Sequence, residues 1–189
     1  MMLTFDERSH SYTMDGRKLP SVTQIINRVC PREWRADEWA LNRGRQVHAA
    51  MSMYLRGVLD MDSLDPRIVG RVNAAILACR DFGWRAELIE ERMAHGLLGF
   101  AGTPDAVMAG AVVVDWKGTP LDGAVGVQLG LYSILCEENG VKVKRLIGVH
   151  TRDDGSYRHE DYKVTAARAD AVHFLGVYKW MMRNNKGEV

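Results

Sequence analysis

The apolar residues recur with two different periods, and the change of period along the chain assigns the elements. Val22, Ile25, Ile26 and Val29 lie at helical spacing behind Ser21, a residue type that caps helix N-termini, and Pro31 closes the segment, so a helix is predicted over Val22–Val29. A longer helix follows over Arg35–Leu55. Asp65-Pro66 opens a third, to about Trp84, with Ile68, Val72, Ile76 and Leu77 inward and Gly83 weakening its end. Two more are predicted, from Gly123 to about Glu138 and from a cap at Thr165 to about Asn184. Period-two stretches give the strands. Leu3–Phe5 and Ser11–Met14 form a small hairpin, with Asp15-Gly16 as the turn that follows it. Glu87–Ala94 leads into a Gly96–Gly99 turn. Phe100–Met108 and Ala111–Lys117 flank a turn at Ala109-Gly110. Lys144–Thr151 and Ser156–Tyr162 flank a turn at Asp153-Asp154-Gly155. Helices in front, strands in the middle and helices after them make an α/β or α+β domain with a central mixed sheet covered on its faces, behind an N-terminal helical segment.

One strand carries a chemical signal. Ala111 to Val114 is the apolar run of a strand buried on both faces, yet it ends in Asp115-Trp116-Lys117. Strand side chains alternate, so Asp115 and Lys117 share one side and Trp116 takes the other. Asp105 follows Gly102-Thr103-Pro104 on the neighbouring strand, one hairpin away. Taken singly, Asp105 reads as a turn residue and Lys117 as a solvated strand end. Two carboxylates converging on one spot repel unless a cation or a proton is shared, and a hard divalent cation compensates them while leaving the ammonium alongside. Lysine there suits a phosphate oxygen or an attacking water.

Other residues have both an ordinary and a functional reading. His48, in Arg43-Gly44-Arg45-Gln46-Val47-His48, is either a packed helical histidine or a nitrogen ligand beside the carboxylates. Gln128 and Tyr132 lie four apart on one helix face, as a half-buried polar stripe or as groups lying against the site and bonding substrate. Glu90 and Glu91 precede the Gly-rich turn, and by alternation only one of them faces the site. Trp34 and Trp39 among the arginines Arg28, Arg32, Arg35, Arg43 and Arg45 suit stacking on single-stranded nucleic acid, or an amphipathic helix with solvated charges.

Composition narrows the classes. The 189 residues suffice for one domain over residues 1–189 with its own core. Net charge is +1, so a basic surface, where there is one, is local. Cys30, Cys79 and Cys136 have no metal-binding or iron–sulfur spacing and read as core thiols. Met1–His10 lacks an apolar leader and no run reaches spanning length, so the expected location is the cytoplasm, with no membrane partner. Phosphate-loop, dinucleotide-binding, serine-hydrolase elbow and H-E-x-x-H patterns are all absent.

Pro104-Asp105 with Asp115-Trp116-Lys117 resembles the PD-(D/E)XK nuclease signature, and the wider order resembles its RecB-like phage exonuclease branch. That order is Pro20-Ser21-Val22-Thr23-Gln24-Ile25-Ile26, then Gly44 to His48, Gly102–Asp105, Asp115-x-Lys117 and Gln128-x-x-x-Tyr132, together spanning about Ser21 to Tyr132. The resemblance implies a restriction-endonuclease-like core and a metal-dependent DNase acting as an exonuclease in phage recombination or DNA processing. A structure-specific endonuclease or resolvase on the same core and a non-catalytic nucleic-acid-binding or interaction protein are its alternatives. Carried over, His48, Asp105, Asp115 and the Trp116 carbonyl bind Mg²⁺ or Mn²⁺, Lys117 orients the attacking water, Gln128 and Tyr132 support the site, and Glu90 completes it. Implied partners are DNA, a phage single-strand annealing recombinase and further copies of the chain. Gly118 departs from a threonine frequent in the family, and the four cysteines of cluster-bearing relatives are missing, so no iron–sulfur cluster is expected.

Overall fold

A computed structural model describes residues 2–7, 9, 11–31 and 38–184. The central sheet has strand order β10-β9-β8-β7-β4, from β4 (Ala86–Ile89), β7 (Ala106–Met108), β8 (Val112–Lys117), β9 (Arg145–Thr151) and β10 (Tyr157–Tyr162). It is mixed. Only β8 and β9 pair in parallel, through the crossover helix α4 (Gly123–Glu138); the other neighbours are antiparallel. Helices α1 (Val22–Val29), α4 and α5 (Val164–Asn184) cover one face, where Val113 and Leu146 meet Ile25, Leu131 and Leu175. Helices α2 (Glu38–Leu55) and α3 (Pro66–Asp81) cover the other, where Val112, Val114 and Trp116 meet Val47, Met51 and Val72. The strand read as buried on both faces is so buried. Two small sheets lie at one end: β1 (Leu3–Asp6), β2 (Ser11–Met14) and β3 (Arg17–Leu19) in one, β5 (Met93–His95) and β6 (Phe100–Gly102) in the other.

Local chemistry explains most element ends. Ser21 accepts from the Gln24 N–H and Gln24 returns a bond to the Ser21 N–H, a complete capping box on α1. Asp65 caps α3 ahead of its N-terminal proline, and Asp122 caps α4.

Several expectations need correction. Phe100–Met108 is two strands, because Pro104 has no N–H to give a ladder. Glu87–Ala94 is also two, broken at Glu90, whose φ of 49° leaves the extended region. Thr165 lies inside α5 rather than capping it, since the Lys163 carbonyl already accepts from the Ala167 N–H. Leu77 is 43% exposed; the inward stripe of α3 keeps Ile68, Val72 and Ile76 and is completed by Ala75 and Cys79. Cys30 is exposed, whereas Cys79 and Cys136 are buried. Arg32, Trp34, Arg35 and the expected start of α2 lie outside the described residues. Among the described residues, no helix is long and apolar enough to cross a membrane.

Gly130 shows how tightly the face over the sheet is packed. A Cβ there would stand 2.1 Å from the Ala167 carbonyl oxygen, so only glycine lets α4 approach α5 this closely. Gly130→Ala is expected to cost about 1–3 kcal/mol, the range for overpacking a filled core. Urea unfolding measures it as a lower midpoint.

Candidate active site

The site forms where β8 ends and the chain enters β7. Antiparallel pairing sets Ala106 opposite Val114 and Met108 opposite Val112, and continuing that register would set Pro104 opposite Trp116. Proline cannot donate to the Trp116 carbonyl, and the ladder stops. The Trp116 N–H bonds instead to Asp105 Oδ2 at 2.9 Å. The N–H and C=O of one strand residue point to the same edge, so the Trp116 carbonyl is aimed to the Asp105 side. On the other side of the break, the Glu90 N–H bonds to the Asp105 carbonyl at 3.0 Å. Asp105 therefore stands just before β7, held by two backbone bonds, with its second carboxylate oxygen free to turn to α2.

That oxygen, Oδ1, lies 2.9 Å from His48 Nδ1. Asp115 is fully buried, and its Oδ1 accepts from Gln128 Nε2 at 3.0 Å. Gln128 also donates to the Tyr132 hydroxyl at 3.2 Å. The Gln128–Tyr132 face of α4 thus bears on Asp115 directly. Lys117 Nζ stands 2.5 Å from Asp115 Oδ2, yet that oxygen accepts no well-directed hydrogen bond. A buried carboxylate oxygen in this state is a good acceptor for a cation.

The two acids are driven apart electrostatically. Burial raises the Asp105 carboxyl, but the charge and hydrogen bond of His48, with help from Lys117 and the Trp116 N–H, outweigh it and leave Asp105 below the ordinary range. Burial lowers His48 and Asp105 more than reverses it, so the imidazole is raised. Asp115 is pushed up to about 6, chiefly by burial and further by the charge of Asp105, against the pull of Lys117. Burial and both carboxylates raise Tyr132 well above its usual value and keep it a neutral phenol.

Glu90 and Glu91 do not alternate across a strand, because the chain breaks there. Both line a cleft of about 630 Å³ with His48, Asp105 and Tyr132. Glu90 Oε2 accepts from Ser52 Oγ at 2.8 Å, and Arg56 Nη1 is 4.0 Å away. Ser52 and Arg56 went unnoticed in the sequence, although His48, Ser52 and Arg56 follow one another at intervals of four, the signal of a shared helix face. Tyr12 was missed as well; its hydroxyl is 2.6 Å from Thr103 Oγ1, two residues from Asp105, and no local pattern announces so distant a contact. Gly118 has a structural reason. Arg71 Nη1 donates to its carbonyl at 2.7 Å, and a Cβ would stand 2.6 Å from the same nitrogen. Arg71 is itself fixed by both oxygens of Asp153.

Asp105, Asp115 and the Trp116 carbonyl are hard oxygen donors of the kind that suit Mg²⁺ or Mn²⁺, and His48 adds a nitrogen. Among the described residues, no three His, Cys, Asp or Glu side chains are disposed as a ready metal cluster. The Lys117 ammonium stands beside Asp115 and the His48 imidazole beside Asp105.

The architecture of a mixed sheet flanked by helices is a restriction-endonuclease-like fold. A protein from Eubacterium rectale designated "Putative exonuclease" shares it at a TM-score of 0.62 and 14% identity, over 90% of this chain and 82% of that one. An alkaline exonuclease from Laribacter hongkongensis aligns at a TM-score of 0.49 and 11% identity, covering 86% of this chain and 87% of its own. Its complex with dAMP aligns at 0.48 and 12%, over 87% and 88%. No protein-family model and no curated protein matches the sequence.

Proposed function

We propose that the chain is a metal-dependent deoxyribonuclease that hydrolyses phosphodiester bonds, acting exonucleolytically on DNA. The observation that carries this reading is the pair of a fully buried Asp115 and a half-buried Asp105, fixed at one strand end with Lys117 against Asp115 and His48 against Asp105. Asp105, Asp115, the Trp116 carbonyl and His48 would hold Mg²⁺ or Mn²⁺. The bound cation supplies Lewis-acid stabilisation of the phosphoryl oxygens and a more acidic water. Lys117 orients the attacking water and donates to the charge that builds on the phosphoryl oxygens. Gln128 holds Asp115 in register, Tyr132 steadies Gln128, and Glu90 completes the polar wall of the cleft. The setting we assign, DNA processing in the cytoplasm of a phage host, rests on the sequence resemblance from Ser21 to Tyr132.

The test is end-labelled linear DNA incubated with Mg²⁺ and with EDTA, beside a closed circle. Mg²⁺-dependent release of nucleotides from linear DNA alone is the expected result. Cutting of the circle points to an endonuclease, and no cutting under any divalent cation overturns the reading. Cation affinity should also depend on pH. Asp115 must give up its proton to take a cation, so Mn²⁺ binding by titration calorimetry should weaken as pH falls below about 6. Affinity unchanged well below that pH removes Asp115 from the ligand set.

A further inference from the structure

Lys117 begins a row of basic side chains that crosses the sheet away from the acids. The β8–β9 register sets Lys117 beside His150, and the β9–β10 register sets His150 beside Arg158. Laterally paired residues face the same side of a sheet, so the three share the face covered by α4. The row crosses two inter-strand spacings, about 10 Å, which is the axial length of about three nucleotides of one strand.

The outer end of the row opens into a cleft of about 470 Å³ that includes His150, Arg152, Arg158 and His159. Among the described residues that line it the one acid is Glu160, which accepts from the Tyr162 hydroxyl at 3.2 Å. The guanidinium groups differ in what they are committed to. Arg71 is tied to Asp153 and Arg145 to Asp161. Among the described residues, neither Arg152 nor Arg158 has a carboxylate ion-pair partner; Arg152 Nη1 donates only to Ser156 Oγ, at 3.3 Å. Like charges gathered close together repel, so Arg152 and Arg158, which unlike Lys117 have no carboxylate ion-pair partner among the described residues, are held near one another at a cost unless an anion offsets it. Burial, with the charges of Arg152, Arg71 and Arg158, holds the His150 imidazole below its usual value, which leaves it a neutral hydrogen-bond donor between two cations.

We propose that the row Lys117, His150 and Arg158, with Arg152 at its flank, seats the phosphodiester backbone of the DNA strand next to the scissile bond. The inference rests on the nuclease reading and adds the path of the strand: from the acidic cleft, past Lys117, to the β10 edge. Interactions of this kind are made to phosphates, so the seat serves any base sequence.

Binding is measured by fluorescence anisotropy of labelled DNA in EDTA, where no hydrolysis occurs, over a range of salt concentrations. Paired replacement of Arg152 and Arg158 by alanine should weaken binding about tenfold or more at low salt. It should also lower the slope of log K against log salt by about one for each phosphate that is no longer neutralised. Arg158→Lys should retain most of the affinity, because the point charge remains. Arg145→Ala, at the far end of β9 and already paired, should leave the slope as it is. A double variant that folds, by its melting curve, and binds with the wild-type slope overturns the proposal. Inorganic phosphate competing as well as DNA of equal phosphate concentration also overturns it, since that marks a single-anion site. Failure of the nuclease reading shows separately, as wild-type protein that binds DNA in EDTA but hydrolyses none with Mg²⁺.

Discussion

Asp115→Asn is expected to lower DNA hydrolysis about 10³-fold or more while leaving the protein at least as stable at neutral pH. Under the proposed function the variant loses an anionic donor to the cation, worth several kcal/mol at about 1.36 kcal/mol per decade. The stability effect follows from the sign of the shift. Asp115 is raised to about 6, so the folded state holds its proton more tightly than the unfolded chain does. Its stabilising contribution is present at low pH and is lost as pH rises through about 6, which makes the ionised form a liability at neutrality. Asparagine keeps the shape and an oxygen for Gln128 but carries no charge. Single-turnover rates and thermal melts on the same samples separate the two effects. A variant that cuts within tenfold of wild type takes Asp115 out of the chemistry.

Lys117→Ala should lower the rate about 10²–10³-fold, the range for removing one donor aimed at developing charge. It should also move the acid limb of the pH profile upward. Lys117 is the leading influence that lowers Asp115; without it, burial and the Asp105 charge are opposed only by His48 and the Gln128 amide, and the carboxyl holds its proton to higher pH. Lys117→Arg restores the acid limb, because the positive charge returns, but recovers little of the rate, because a planar fork cannot occupy the place of a compact ammonium. A profile for Lys117→Ala with its acid limb unmoved would sink this account of how the pair is tuned.

The elements that were legible share a feature: their cause is local. Ser21 and Gln24 cap α1 within a single turn, Asp122 caps α4, and the apolar run of β8 declares its burial without help from the rest of the chain. The places that were misread depend on what lies across from them. Glu90 departs from the extended region where its N–H reaches the Asp105 carbonyl, and alternation along Glu87–Ala94 could not show that. Leu77 has the side chain of a core residue, but it falls outside the stripe of α3 that buries Ile68, Val72 and Ile76.

The sequence by itself determined the order of elements, the mixed sheet and the chemical types that meet at the end of β8, because periodicity, capping and strand alternation act over a few residues. Only the tertiary structure decided that Gln128 braces Asp115, that His48 rather than another group bonds Asp105, and that both glutamates reach the cleft. Those contacts join segments far apart in the chain, and their geometry is fixed by how α2 and α4 pack on opposite faces of the sheet.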